Sequence, residues 1–251
     1  MFRPRIIPVL LLKNSALVKS VKFKDHKYIG DPINAVKIFN DLKADELVFL
    51  DIEASRQNRL VSLNFVRDVG EEANMPFAVG GGIKTPEDIK AVINAGAEKV
   101  VINTAAAQNP DFVRQAADIF GSSTIVVCLD VKKQWFKGER TWILSGSRAT
   151  DYTPLKFAQL MEEKGAGEII VQSIEQDGMM RGYDLELVKA ISTAVGVPVV
   201  ALGGAGKNED LISAFKQGYA NGLAAGSLFV YQGAQRGVLI NYPDKSELNF
   251  E

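Results

Sequence analysis

Three features of this 251-residue chain predict a single (β/α)8 barrel, an α/β fold usually built from about 250 residues. Short, nearly continuous apolar runs alternate with amphipathic stretches, as parallel strands covered by helices should. The chain matches itself when shifted by half its length. No Ser/Gly/Pro-rich linker divides it, so residues 1–251 read as one domain.

The strands are expected at Arg5–Leu11, Glu46–Asp51, Phe77–Val79, Lys99–Ile102, Thr124–Asp130, Glu168–Val171, Val199–Ala201 and Gly222–Ala224. Helix starts are expected at Asp31-Pro32, Thr85-Pro86, Asn109-Pro110 and Thr153-Pro154, each a capping side chain before a proline at the first helical position. Asp88 strengthens the Thr85 start. Two segments break the rhythm. Lys13–Gly30 is long, basic and poorly periodic, and reads as a mobile loop over the catalytic face. Lys132–Gly146 reads as a β-hairpin with Trp135 packed across it against Trp142.

The internal match has an offset of 122 residues, since Glu46 falls on Glu168 and 168 − 46 = 122. Leu63 then falls on Leu185, Pro76 on Pro198, Gly81-Gly82 on Gly203-Gly204, and Glu87-Asp88 on Glu209-Asp210, without a gap. A repeat of that length holds four strands and their helices, so it is a half-barrel rather than a solenoid unit. The halves are about 1–122 and 123–251.

Bulk properties narrow the function. A net charge of −1 points to neither nucleic acid nor an anionic membrane as partner. Cys128 is the only cysteine, so no internal disulfide can form, and its apolar setting suggests a buried, inert thiol. His26 is the only histidine, which removes most metal sites and histidine relays; it reads as a surface residue. No metal site or cofactor is expected, and no dinucleotide fingerprint stands out. The apolar stretch Met1–Leu12 is too short to span a membrane and lacks a small-residue cleavage site, so a cytoplasmic enzyme is the default.

The symmetry predicts two anion-binding corners. Gly81 and Gly82 follow strand three and Gly203 and Gly204 follow strand seven, where glycine lets backbone N–H groups approach a phosphate. Asn103-Thr104 after strand four and Ala225-Gly226-Ser227 after strand eight stand at expected helix starts, which favour anions. Tight turns alone would also use these glycines, but two symmetric sets with polar helix starts favour a doubly phosphorylated ligand.

These strings resemble the cyclase subunit of imidazole glycerol phosphate synthase. The resemblance runs from Arg5 to about Phe229, through Arg5-Ile6-Ile7-Pro8, Ala44-Asp45-Glu46-Leu47-Val48-Phe49-Leu50-Asp51-Ile52, Val79-Gly80-Gly81-Gly82-Ile83 and Ile102-Asn103-Thr104-Ala105-Ala106. Asp177-Gly178, Gly182-Tyr183-Asp184-Leu185 and Gly203-Gly204-Ala205-Gly206 continue it. In that family a glutaminase subunit docks under the barrel, and ammonia passes up the axis to a doubly phosphorylated substrate. Two aspartates, ending strands one and five, are the acid and base.

Carried over, the resemblance makes Asp130 one catalytic aspartate and places Lys19, Asp51, Asp177 and Gly178 with the phosphate corners. It makes Arg5, Glu46, Lys99 and Glu168 an ammonia gate at the barrel bottom, and Glu98 a contact with the glutaminase. Strand-end salt bridges are the plain alternative for the four gate residues.

One departure matters most: Leu11 stands where the second aspartate belongs. Leucine cannot move a proton, and positioned proton transfer is worth roughly 10²–10⁴ in rate. Gln172 and Leu202 also replace small hydroxyl residues. Two readings follow. The chain is an ammonia-conducting subunit that serves a sugar-modifying third protein, as altered family members do in amidination of bacterial surface sugars (lipopolysaccharide biosynthesis). Alternatively it is a working cyclase of histidine biosynthesis with another acid.

Overall fold

The first strand, β1 (Arg5–Lys13), is not followed by a loop, as expected from the sequence, but by two further strands, β2 (Ala16–Val21) and β3 (Lys24–Gly30). The computed structural model describes residues 3–233, 235–246 and 248–250, so Met1 and Phe2 of the apolar N-terminal stretch lie outside the described residues. β1 pairs antiparallel with β2, and β2 with β3. Both turns are two residues long with positive φ throughout: Asn14 (49°) and Ser15 (60°), then Lys22 (53°) and Phe23 (62°). This is the turn geometry whose twist suits a tight hairpin. The ribbon buries Leu17, Val18, Lys19 and Ser20 and exposes residues 24–28.

The chain continues through α1 (Pro32–Asp41), β4 (Leu47–Asp51), α2 (Leu63–Glu72), β5 (Phe77–Gly80), α3 (Pro86–Asn94) and β6 (Lys99–Ile102). Next come α4 (Thr104–Gln108), α5 (Pro110–Phe120), β7 (Ile125–Gln134), β8 (Gly138–Ile143), β9 (Arg148–Ala149) and α6 (Pro154–Glu163). The second half closes with β10 (Glu168–Ser173), α7 (Leu185–Ser192), β11 (Val199–Leu202), α8 (Asn208–Lys216), β12 (Gly222–Ala225), β13 (Tyr231–Gln232) and β14 (Gly237–Val238). Parallel pairing runs β1–β4–β5–β6–β7–β10–β11–β12 and returns from β12 to β1, so eight strands close into a (β/α)8 barrel with no free edge.

The period-2 alternation of the strands separates two apolar layers. Ile7, Val9, Leu11, Val48, Ala78, Val101, Val126, Cys128, Ile170, Val200, Leu202 and Ala224 form the cluster inside the barrel. Ile6, Leu10, Leu47, Phe49, Val79, Val127, Ile169 and Leu223 point outward to the helices. Cys128 is buried as expected, and burial pushes its thiol up, against thiolate formation.

Several boundaries move. Glu46 precedes β4 rather than opening it, and Thr124 ends a single 3-10 turn, Ser122–Thr124, before β7. Asp31 and Thr85 cap their helices, accepting from Asn34 N (2.9 Å) and Asp88 N (3.1 Å), and Asp88 returns the bond at Thr85 N. Asn109 and Thr153 make no side-chain cap, so there proline alone sets the first turn. The hairpin expected after strand five is present as β7–β8. Trp135, however, does not pack on Trp142: it is 83% exposed and meets only Phe136 edge-on, while Trp142 donates to Lys132 O and lies under the Lys132 ammonium.

The 122-residue offset recurs in the elements. β5 maps onto β11 (77 + 122 = 199) and α3 onto α8 (86 + 122 = 208; 94 + 122 = 216). Asp88 accepts from Lys84 N and Thr85 N, and its counterpart Asp210 accepts from Gly206 N and Lys207 N.

The eighth unit differs from the rest. Among the described residues, β12 is followed only by a 3-10 turn, Ser227–Phe229, the short β13–β14 hairpin and an irregular tail. Ile240, Tyr242, Leu248 and Phe250 of that tail pack on the outer core where an eighth helix would lie. The Tyr242 hydroxyl donates to Ile6 O (3.0 Å), and Lys245 bridges to Asp45 (2.5 Å). Among the described residues no helix is long and apolar enough to cross a membrane.

Candidate functional site

Two cavities open at the carboxyl ends of the barrel strands, the end where this architecture places its chemistry. The smaller is lined by Lys19, Asp177, Gly178, Gly203, Gly204, Ala225, Gly226 and Ser227. Gly203, Gly204, Ala225, Gly226 and Ser227 were expected to form the second phosphate corner, and Lys19, Asp177 and Gly178 were expected to bind the ligand without being assigned to either corner. The larger brings together Asp51, Gly81, Gly82, Asn103, Thr104 and Asp130. Leu11 and Gln172 line both, so they form the partition between them.

The glycines are there because nothing larger fits. Gly82 has φ +70°, and a β-carbon on it would run into the Arg59 carbonyl. Gly204 (φ +113°) would meet the Gly182 carbonyl in the same way. On Gly226 a β-carbon would occupy the place of the Lys19 ammonium.

Lys19 does not lie in the mobile loop expected from the sequence, and it is not solvated. It lies on β2, 5% exposed, and donates to Val9 O at 2.7 Å. Burial lowers its pKa to about 8, against the pull of Asp177. Asp177 fastens the ribbon over the barrel: its carboxylate accepts from Ser20 Oγ (2.7 Å) and Phe23 N (3.2 Å), and its carbonyl from Lys22 N (3.0 Å). Burial pushes the Asp177 carboxyl up, and these hydrogen bonds oppose the shift.

In the larger cavity, Asp130 is 8% exposed. Burial raises its pKa to about 7; the Cys128 thiol, 3.6 Å away, opposes this and Asp177 adds to it. A carboxyl poised there can give or take a proton near neutral pH. Asp51 orients its own loop, accepting from Glu53 N and Ala54 N, and pairs with Arg59 at 2.6 Å.

Asn103 and Thr104 are largely engaged within the fold. Asn103 Nδ2 donates to Cys128 O (3.0 Å) and Trp142 O (3.2 Å), and Thr104 Oγ1 accepts from Leu144 N (3.1 Å). Their backbone still opens α4, but that helix has five residues, and Ser227 opens only a 3-10 turn.

The opposite end of the barrel carries a closed ring of charge. Arg5 bonds both Glu46 and Glu168, and Lys99 reaches Glu46 at 2.9 Å and Glu168 at 3.1 Å. The glutamate side chains are 4% and 8% exposed. Burial works against the Arg5 charge, but Glu168 and Glu46 outweigh it and hold the guanidinium above its usual value. Glu98, beside Lys99, is exposed. Above the ring the axis is lined by the inner apolar cluster.

Sequence reasoning missed three residues of the larger cavity: Lys13, Arg56 and, as a cavity residue, His26. Ser145, also there, donates to Ile52 O at 2.5 Å. Lys13 ends a strand, His26 lies on one and Arg56 sits in a turn; isolated polar residues so scattered carry no periodic signal that would have gathered them.

The model of the family described as "Histidine biosynthesis protein" matches residues 5–235. A Pseudomonas aeruginosa protein, named provisionally as imidazole glycerol phosphate synthase subunit hisF2, is 47% identical over 249 residues, covering 99% of each chain. A Vibrio vulnificus protein, named in the same provisional way as subunit hisF3, is 44% identical over 248 residues, covering 98% of this chain and 95% of its own. The Alkaliphilus metalliredigens imidazole glycerol phosphate synthase subunit HisF is 42% identical over 231 residues, 92% of each chain. With a matching model over nearly its whole length and relatives of this kind, the chain belongs to the histidine biosynthesis protein family, as one of its HisF-type synthase subunits.

Proposed function

We propose that this chain is the ammonia-conducting subunit of a glutamine amidotransferase complex whose own cyclase chemistry is impaired. A glutaminase docks beneath the barrel, with Glu98 on the contact surface. Arg5, Glu46, Lys99 and Glu168 gate the axis, and neutral ammonia passes along the apolar interior to the top face. The observation that carries the reading is the contrast between the barrel's two ends. The charged ring at the bottom is complete, whereas at the top Leu11 lines the same cavity as Asp130 and supplies no second proton-transfer group. Asp130 retains a role in binding or in a single proton transfer, and Lys19, Asp177 and the glycine corners hold a phosphorylated ligand. The acceptor of the ammonia is then carried by a sugar-modifying protein.

A second reading is favoured by Asp130 itself. With a pKa of about 7 it could serve as acid and base in turn, which suits a working cyclase that converts a ribulosyl-imidazole bisphosphate and ammonia into imidazole glycerol phosphate and the aminoimidazole carboxamide ribotide. One assay decides: turnover of that substrate with saturating ammonium salt, beside Leu11→Asp. The first reading expects no wild-type turnover and activity gained in the variant. Robust wild-type turnover would overturn it and establish the cyclase.

A further inference from the structure

We propose that the mouth of the larger cavity is an oxyanion-binding site, formed by Lys13, Arg56 and His26, that takes a phosphate or carboxylate group of the ligand. It is separate from the two glycine corners and does not rest on the ammonia reading. The three residues come from three segments: the end of β1, the turn after β4, and the outer strand β3 of the ribbon. All three line the same cavity.

Their charge is not cancelled. Arg56 is oriented by neutral acceptors, Nε to Leu144 O (3.1 Å) and Nη2 to Ser145 O (3.3 Å), and makes no ion pair among the described residues. Those two bonds leave the other N–H donors of its five for a ligand. The Lys13 ammonium likewise has no ion pair among the described residues. One carboxylate, Glu53, lies close by and accepts from Asn14 N at 3.3 Å, whereas Asp51 is already paired with Arg59. Lys13 and Arg56 stand against Glu53, and the other acid that acts on His26, Asp177, is offset by Lys19, so the mouth keeps an excess of positive charge even with His26 neutral. The imidazole registers this field: desolvation and then Lys13 lower its pKa, Glu53 opposes them, Arg56 lowers it further, and Asp177 raises it. Solvated surface cations normally spread apart, whereas these converge on one concavity.

Because His26 is the sole histidine, its imidazole NMR signals are unambiguous. The test is a pH titration of those signals with inorganic phosphate, with acetate, and with chloride at matched ionic strength. An oxyanion held beside the ring should raise its midpoint by about 1 unit over the chloride value. A response to both anions marks a site for either group, and a response to phosphate alone marks a phosphate site. In Lys13→Gln/Arg56→Gln the ligand-free midpoint should rise, since two like charges are gone, and the response should be lost. In Lys19→Met the response should persist. No response beyond chloride, survival of the response in the double variant, or its loss in Lys19→Met would each overturn the proposal. A dispersed spectrum in the variants establishes that they are folded.

Discussion

Replacing Lys99 with methionine tests whether the charged ring is a buried network or a set of surface ion pairs. Lys99 holds both glutamates, at 2.9 and 3.1 Å, and those carboxylates are almost wholly enclosed. Removing it leaves two buried negative charges to share Arg5. Breaking a buried ion pair from one side costs ~3–5 kcal/mol, because the stranded charge has no water to return to. Arg5 still reaches both glutamates and the Lys99 side chain is 21% exposed, so the lower end, about 3 kcal/mol, applies. For a chain of this size that is a fall in Tm of roughly 6–12 °C. Thermal unfolding by circular dichroism near neutral pH reads it directly. Glu168→Gln added to Lys99→Met restores the charge balance and should recover most of the loss, and acid should also shrink the deficit by neutralising one stranded carboxylate. A loss below ~1 kcal/mol, the value of an exposed pair, would refute the reasoning. So would a loss that Glu168→Gln fails to repair.

Two further predictions concern the top face. Asp130 has a folded-state pKa raised from 3.8 to about 7, so its contribution to stability is fully present below pH 3.8 and is lost as pH rises through about 7. Asp130→Asn should therefore be more stable than wild type in mildly alkaline buffer, with the difference vanishing toward pH 4; a difference independent of pH would contradict this. Gly82→Ala and Gly204→Ala should each cost more than ~1 kcal/mol in denaturant unfolding, since both the backbone sign and a facing carbonyl exclude a β-carbon. A neutral result at either position would show that its loop relaxes freely.

The barrel was legible because its evidence is redundant: apolar runs, proline-marked helix starts and the half-length repeat all point the same way. The 122-residue offset read from the sequence recurs in β5 and β11 and in α3 and α8. The β2–β3 ribbon was not legible, because its turns use Asn14-Ser15 and Lys22-Phe23 in place of the glycine that signals a two-residue hairpin. For the same reason Lys19 read as a loop residue. A lysine buried against a backbone carbonyl on an inner strand looks, in sequence, like any other basic residue. At the site, the glycine corners showed because glycine is demanded by geometry. The Asp51–Arg59 pair and the engagement of Asn103 and Thr104 depend on which loops meet in space.

The irregular tail that fills the eighth helix position has a consequence for how the molecule meets its neighbours. The barrel closes by pairing β1 with β12, and the tail is fastened beside that closure at Ile6 and Asp45, next to the first two members of the charged ring. It adds no strand to the barrel; Ile240, Tyr242, Leu248 and Phe250 cover apolar surface of the outer layer instead. Lifting the tail would leave the strand pairing intact and bare a contiguous apolar strip, the kind of surface that draws molecules together. The tail is thus a cover rather than a clasp, and a variant cut before Tyr242 should keep its barrel but self-associate.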